Sequence, residues 1–238
     1  PLWRTVKGGS KEYVKRLADS YKESSRFEKV SAIRRKVDGV EIKNYKNEIE
    51  NFDHVVIATH ADEAFLLLED PSPREKDLLS SWKYTRNQAV LHNDYNLMPK
   101  RKRVWSSWNF IANGKPDRDE KVCLTYWMNR LQNIPESKPL FVTLNPGEVI
   151  MDEAIISEHE YTHPYFDTNA LESQKNLWDI QGINRTWFCG SYFGYGFHED
   201  GLQSGLAVAE QLGGLSRPWN TVDENDRIIV KSPNQVAA

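Results

Sequence analysis

Histidine stands beside carboxylate at several points in this sequence, and each point suggests a different chemistry. His159-Glu160-Tyr161-Thr162-His163 spells HExxH, the zinc-protease pattern, which works only on a helix, where both imidazoles share one face and Glu is the base. Here Ile155-Ile156 and Tyr161-Thr162 favour a strand, and Pro164 pushes His163 out of helical geometry, so the expectation is no metal. His92 and Asp94 lie two apart in Leu91-His92-Asn93-Asp94-Tyr95, on one face of a candidate strand. They could be an acid/base pair lining a site. An exposed polar strand face explains them as well and is the expectation, because nothing else converges there. Finally, His198-Glu199-Asp200 follows a loop rich in glycine and aromatics and opens a helix. A helix start beside a neutral imidazole can stabilise negative charge on a ligand. Alternatively, the backbone N–H groups do this and the His198 ring packs.

The elements around His198 are the best defined in the chain. Trp187, Phe188 and Cys189 form a short aromatic run ended by Gly190, which reads as a buried strand. A loop from Gly190 through Gly194 and Gly196 to Phe197 leads into a helix with Leu202, Leu206, Ala209 and Leu212 near helical spacing. Glu199 and Asp200 sit in its first turn, and Gly213-Gly214 stops it. Strand, glycine loop and helix start leave backbone N–H groups free to meet a ligand. Gly205 is expected where helix and strand approach closely.

The run from Gly190 through Glu199 and Ser204-Gly205 to Ala209 resembles the C-terminal flavin motif of the FAD-dependent amine oxidoreductases. Gly194 to Leu202, reading GYGFHEDGL, is similar to a subgroup of bacterial predicted NAD/FAD-binding proteins and to the N-terminal domain of plant cyclopropane fatty acid synthases. In such proteins the final helix aims its N-terminus at the pyrimidine edge of the isoalloxazine. A second block, Gly8 to Thr59, resembles the same family: a glycine pair opening a helix, a hairpin starting at Val30, and a Val-Val-Ile-Ala strand after Asp53. The resemblance implies FAD as cofactor, held through Val30, Gly190, Ser191, Phe197, His198, Glu199, Asp200 and Gly201, with His198 the candidate catalytic residue. The wider family carries Asp or Glu where this chain has Ser191, so that contact falls to a hydroxyl or is lost. Alignments on Ser204-Gly205 and on Glu199 to Gly201 differ by about one residue.

Between the two blocks the strand signals come in series. They are Ala89 to Leu91, Arg103 to Trp105, Val122 to Trp127, Leu140 to Leu144 and Glu148 to His159, an expected antiparallel sheet. Earlier, Ser10 is placed to cap a helix carrying Tyr13, Val14 and Leu17. Strands are expected at Lys29 to Ile33, Val37 to Ile42 and His54 to Ala58, and helices at Ala61 to Leu68 and Glu75 to Leu79. The fold class is therefore α/β (α+β). The expected parts are a partial FAD-binding domain (1–79), an antiparallel substrate domain (80–163), the final FAD-binding strand and helix (164–214) and a tail (215–238) whose Ile228-Ile229-Val230 docks as an edge strand or frays.

A net charge of −3 over 238 residues gives no general attraction to nucleic acid. Lys100 to Arg103 therefore reads as a solvated turn, or as an anionic-headgroup site if the substrate is a lipid. The sequon Asn184-Arg185-Thr186 directly precedes a buried-looking strand and is set aside. Cys123 and Cys189, far apart in apolar runs, read as buried thiols of a cytoplasmic protein with no membrane span. No G-x-G-x-x-G occurs, and Pro1-Leu2-Trp3 is no initiator start. The chain is thus expected to be the C-terminal half to two-thirds of a flavoprotein whose N-terminal dinucleotide-binding half is missing. The resemblance implies hydride transfer from a small-molecule, lipid-like substrate. The alternative is a non-catalytic flavin- or lipid-binding module beside a lipid-modifying methyltransferase.

Overall fold

The computed structural model describes residues 4–110, 123–222 and 224–231. In chain order the elements are α1 (Lys11–Ser20), β1 (Val30–Arg35), β2 (Val40–Asn44), β3 (Ile49–Phe52), β4 (Val55–Ile57), α2 (Ala61–Leu67), α3 (Pro73–Ser80) and β5 (Lys83–His92). There follow β6 (Trp108–Phe110), β7 (Leu124–Trp127), α4 (Met128–Gln132), β8 (Phe141–Leu144), β9 (Ile155–Tyr165), α5 (Thr168–Gln174), β10 (Thr186–Phe188) and α6 (His198–Gly213). This is the mixed helix-and-sheet class expected. The chain divides into two compact units, Pro1–Arg26 with Arg86–Thr162, and Phe27–Thr85 with His163–Ala238.

The first unit is built on an antiparallel sheet of order β6-β7-β8-β5-β9. Its buried face mixes polar side chains with Val90 and Phe141. Asn109, Thr125, Thr143 and His92 are all buried on one face, under a layer that includes Leu97, Ile150 and Ala154. On the opposite face Leu91 pairs with Val142, Val142 with Tyr126 and Tyr126 with Trp108, and this apolar face is partly open, Trp108 58% exposed and Phe110 61%. The strand expected at Arg103 to Trp105 is instead a 3-10 turn over Lys102–Val104, because Val104 and Trp105 donate their N–H groups back to Arg101 and Lys102. Val122, the expected start of β7, lies outside the described residues. α1 forms where expected, but Ser10 is already in helical backbone and its hydroxyl caps nothing; Val14 and Leu17 stay exposed.

The second unit holds a β1-β2-β3 sheet and a two-stranded parallel sheet of β10 and β4. Gly39 is required in the β1–β2 turn, since a Cβ there would meet the Phe52 carbonyl of β3 at 2.8 Å. The pairing of β4 with β10, far apart in sequence, matches Thr186 with Val55, Trp187 with Val56 and Phe188 with Ile57. Burial of one face drives it: Val55, Ile57, Thr186 and Phe188 are buried, while Val56 on the other face of β4 stays 42% exposed. Around them Leu79, Leu177, Trp178, Ile180 and Phe188 are fully buried. Pro73, expected only as a stop, is the first residue of α3, behind a capping box in which Ser72 and Glu75 satisfy each other's backbone N–H. Glu75 also pairs with buried Arg35 at 2.7 Å, so the cap is tied to β1.

Candidate functional site

β4 and β10 end together, and the site grows from that end. Cys189 N–H donates to the Ile57 carbonyl at 3.1 Å, carrying the ladder one step past β10. The outer side of β10 is closed by a side chain: Gln181 accepts from Phe188 N–H at 2.8 Å and donates to its carbonyl at 2.7 Å. The outer side of β4 has no strand partner among the described residues. Along it runs a groove of about 680 Å³, lined by Val30, Val55, Val56, Ile57, Ala58, Thr59 and the exposed Leu66. A parallel strand with one open, apolar edge is rare in finished sheets.

Gly190 follows. A Cβ there would touch the Tyr192 ring at 2.7 Å and come within 3.5 Å of the Thr59 carbonyl, so glycine lets the loop pass over buried Tyr192 and beside the groove. Ser204 fastens this loop to α6: its hydroxyl accepts from Gly190 N–H at 3.0 Å and lies 3.1 Å from the carbonyls of Gly190 and Gly201. Burial pushes the Cys189 thiol and, further still, the Tyr192 phenol above their ordinary pKa values, so both stay protonated.

α6 begins with half a cap. Asp200, at the third helical position, accepts from Phe197 N–H at 2.7 Å. Phe197 occupies the cap position, and its ring offers no acceptor in return. Asp200 and Gly201 N–H reach the Phe197 carbonyl. The N–H groups of His198 and Glu199 have no acceptor among the described residues, so two first-turn donors of a 16-residue helix are left open.

The expected site residues thus fall in one unit but in different surroundings. Val30 opens β1 and lines the groove; Gly190 and Ser191 form the loop beside it; Phe197, His198 and Glu199 are exposed at the helix start. A Cβ on Gly201 would sit 3.8 Å from Ser191 N, in ordinary contact. Asp200 is turned inward: fully buried, its carboxylate is held by Phe197 N–H and by Arg227 at 2.7 Å. Its side chain therefore serves the chain itself.

Other expectations are corrected. His92 and Asp94 are buried, not an exposed strand face. His92 Nδ1 accepts from Asp94 N–H at 3.2 Å, which leaves Nε2–H to donate to Thr143 at 2.8 Å. Burial lowers its pKa and keeps it neutral. One expectation here holds: His159 and His163 lie on a strand, β9, where four residues span about 13 Å and do not share a helical face. Gly205 approaches nothing; there is open space around its missing Cβ. The apolar stripe of α6 is rotated: Leu202 and Ala209 are exposed and Leu206 and Leu212 half-buried, while Gln203, Ser204, Ala207 and Val208 are buried. Gly194, Gln181 and Arg227 matter at the site and were missed. Only Gly194 carried a sequence signal, its place in the loop.

No family model matches this sequence, and no curated protein matches it. Solved structures do. A wild-type putrescine oxidase bound to putrescine superimposes with a TM-score of 0.61 at 12% identity, covering 88% of this chain and 54% of the other. Cyclohexylamine oxidase from Brevibacterium oxydans IH-35A gives 0.52 at 13%, covering 86% and 53%. A CLA-producing fatty acid isomerase from P. acnes gives 0.55 at 14%, covering 79% and 48%. The chain spans about half the length of these proteins. No helix of the described residues is long and apolar enough to cross a membrane. In fold, the chain matches the C-terminal part of flavoprotein oxidase structures.

Proposed function

We propose that this chain supplies the flavin-facing and substrate-facing parts of an FAD-dependent oxidoreductase of the amine oxidase type. The observation that carries the reading is the juxtaposition within one unit of the groove on the open edge of β4 and the uncapped start of α6, joined at Thr59 and Gly190. The fit is chemical as well as spatial. Apolar walls at Val30, Val55 and Val56 suit a flat heteroaromatic ring, and free edge groups of β4 can bond an added strand or a ligand. Val30, Gly190, Ser191, Gly201 and the N–H groups of His198 and Glu199 would hold FAD; a dinucleotide-binding half in the full-length protein would cover β4 and cradle the phosphates.

Bound there, FAD supplies a hydride acceptor. The chain's own part is to orient and to stabilise: the open N–H groups of α6 face developing negative charge, and exposed His198 stands beside them. For the substrate, the partly open sheet face is lined, among the described residues, by Leu91, Trp108, Phe110, Tyr126, Val142 and Leu144, which favours a lipid-like or other apolar molecule.

The test is flavin absorbance per purified full-length protein. Gly201→Leu puts bulk against Ser191 N and is expected to empty the site, while Gly213→Leu, with open space around it, retains flavin. Equal occupancy would remove α6 from the cofactor. Anaerobic bleaching by apolar substrates then supports oxidation. Flavin that binds but never bleaches would favour the non-catalytic module acting with a lipid-modifying methyltransferase.

A further inference from the structure

The tail beyond α6 returns to the start of that helix. Arg227 Nε donates to Asp200 Oδ1 at 2.7 Å, with a second nitrogen 3.4 Å from Oδ2. The guanidinium also lies 5.0 Å from the Tyr195 ring centroid and 5.7 Å from that of Phe197, both exposed rings of the loop that precedes α6. Main-chain contacts lock the same place. Arg227 N–H donates to Gln203 at 3.2 Å, and a Cβ on Gly194 would come within 2.8 Å of the Arg227 carbonyl. Gln203 in turn bonds Glu199 and Asp226, and Ile228 is buried in the core of the unit.

This arrangement resolves a conflict at the helix start. Asp200 is needed to hold Phe197 N–H, yet a buried carboxylate in the first turn cancels the positive end that His198 and Glu199 N–H present. A cation against that carboxylate offsets the charge and leaves the hydrogen bond. We infer that Arg227 is a positioning residue for the flavin-facing end of α6: it offsets the charge of Asp200, the buried carboxylate of the first turn, and it fixes the Tyr195–Phe197 loop by stacking. The inference rests on the proposed flavin site, but its mechanical half stands without it.

The experiment uses the full-length protein with Arg227→Ala, Arg227→Lys and the pair Asp200→Asn/Arg227→Ala. Hydrogen exchange of the amides from Gly194 to Gly201, measured without flavin, reads the loop. Flavin affinity and midpoint potential read the charge. Arg227→Ala is expected to speed loop exchange, to weaken flavin binding about tenfold, the size of one charge-assisted hydrogen bond, and to make the potential more negative. Arg227→Lys restores the potential but not the slow exchange, since an ammonium pairs with Asp200 without stacking as a plane. The pair variant recovers the potential because no orphan carboxylate remains, and, if Arg227→Ala does not fold, comparing it with Asp200→Asn, made alongside, isolates the loss of Arg227. Unchanged exchange together with unchanged flavin affinity in Arg227→Ala overturns the inference. If the wild type takes up no flavin, the flavin reading falls, and the exchange result alone decides whether Arg227 positions the loop.

Discussion

Gly194 and Gly205 look alike in the sequence and have opposite roles. A Cβ on Gly194 would lie 2.4 Å from Asp200 Oδ1 and 2.8 Å from the Arg227 carbonyl, and the backbone there has no room to move aside. Gly194→Ala is therefore expected to destabilise by about 2 kcal/mol through overpacking. Gly205 has open space around it inside a helix, so Gly205→Ala should stabilise by about 0.5–1 kcal/mol. Thermal melts of the two variants give the comparison, and a similar loss in both would mean that the loop yields. His92 supplies a pH test. Burial holds its pKa down, so the unfolded state takes the proton first. The contribution of neutral His92 is complete above about pH 6.5 and is lost as the pH falls below it. Urea midpoints at pH 7 and pH 5 should drop in the wild type, and the drop should shrink in His92→Gln, which is weaker at pH 7 from the outset. The tail has its own clamp: Arg217, nearly buried, bonds Glu210 and pulls that carboxyl down to about 2, so this pair survives ordinary acid conditions.

At the scale of elements, helix starts in this chain are treated in two ways. α3 has a complete capping box, and Ser72→Ala should cost about 1 kcal/mol, read as a shift in denaturation midpoint. α6 has Phe197 where a capping oxygen belongs. Phe197→Ser would supply that oxygen to the first-turn N–H groups. It should therefore raise stability by about 0.5–1 kcal/mol while lowering flavin uptake of the full-length protein. A variant that gains stability and keeps its flavin would show that the open cap serves no ligand. The sheets differ in the same manner. Gln181 closes the outer side of β10 with its amide, whereas β4 is left open beside an apolar groove.

For the whole molecule, that open edge predicts behaviour in solution. Val56 is 42% exposed and Leu66 77%, beside unpaired strand groups, an arrangement prone to edge-to-edge pairing. The chain expressed by itself should associate with rising concentration, and Val56→Lys should return it toward monomer in sedimentation runs. Association unchanged by Val56→Lys would place the contact elsewhere. The same variant in the full-length protein should disturb flavin binding, because the groove would then be filled.

The sequence alone determined the local grammar. The runs expected at Trp187 to Cys189 and His54 to Ala58 hold β10 and β4, because short β-branched and aromatic runs between polar or glycine stops have no other good local state. α6 starts and stops where its acidic first turn and Gly213-Gly214 say it should. The absence of a G-x-G-x-x-G was also plain from the residues. Tertiary structure decided which face of each element is inside. Leu202 and Ala209 read as core in a helical count, yet α6 turns Ser204, Ala207 and Val208 inward, since Ser204 must reach Gly190 to hold the loop. His92 read as surface, yet it is buried on the sheet face it shares with Val90, Phe141 and Thr143. Periodicity records that a helix or strand has two faces; it does not record what lies opposite each. Arg227 left no local trace at all, because its meaning depends on a buried carboxylate 27 residues away that only the folded chain brings to it.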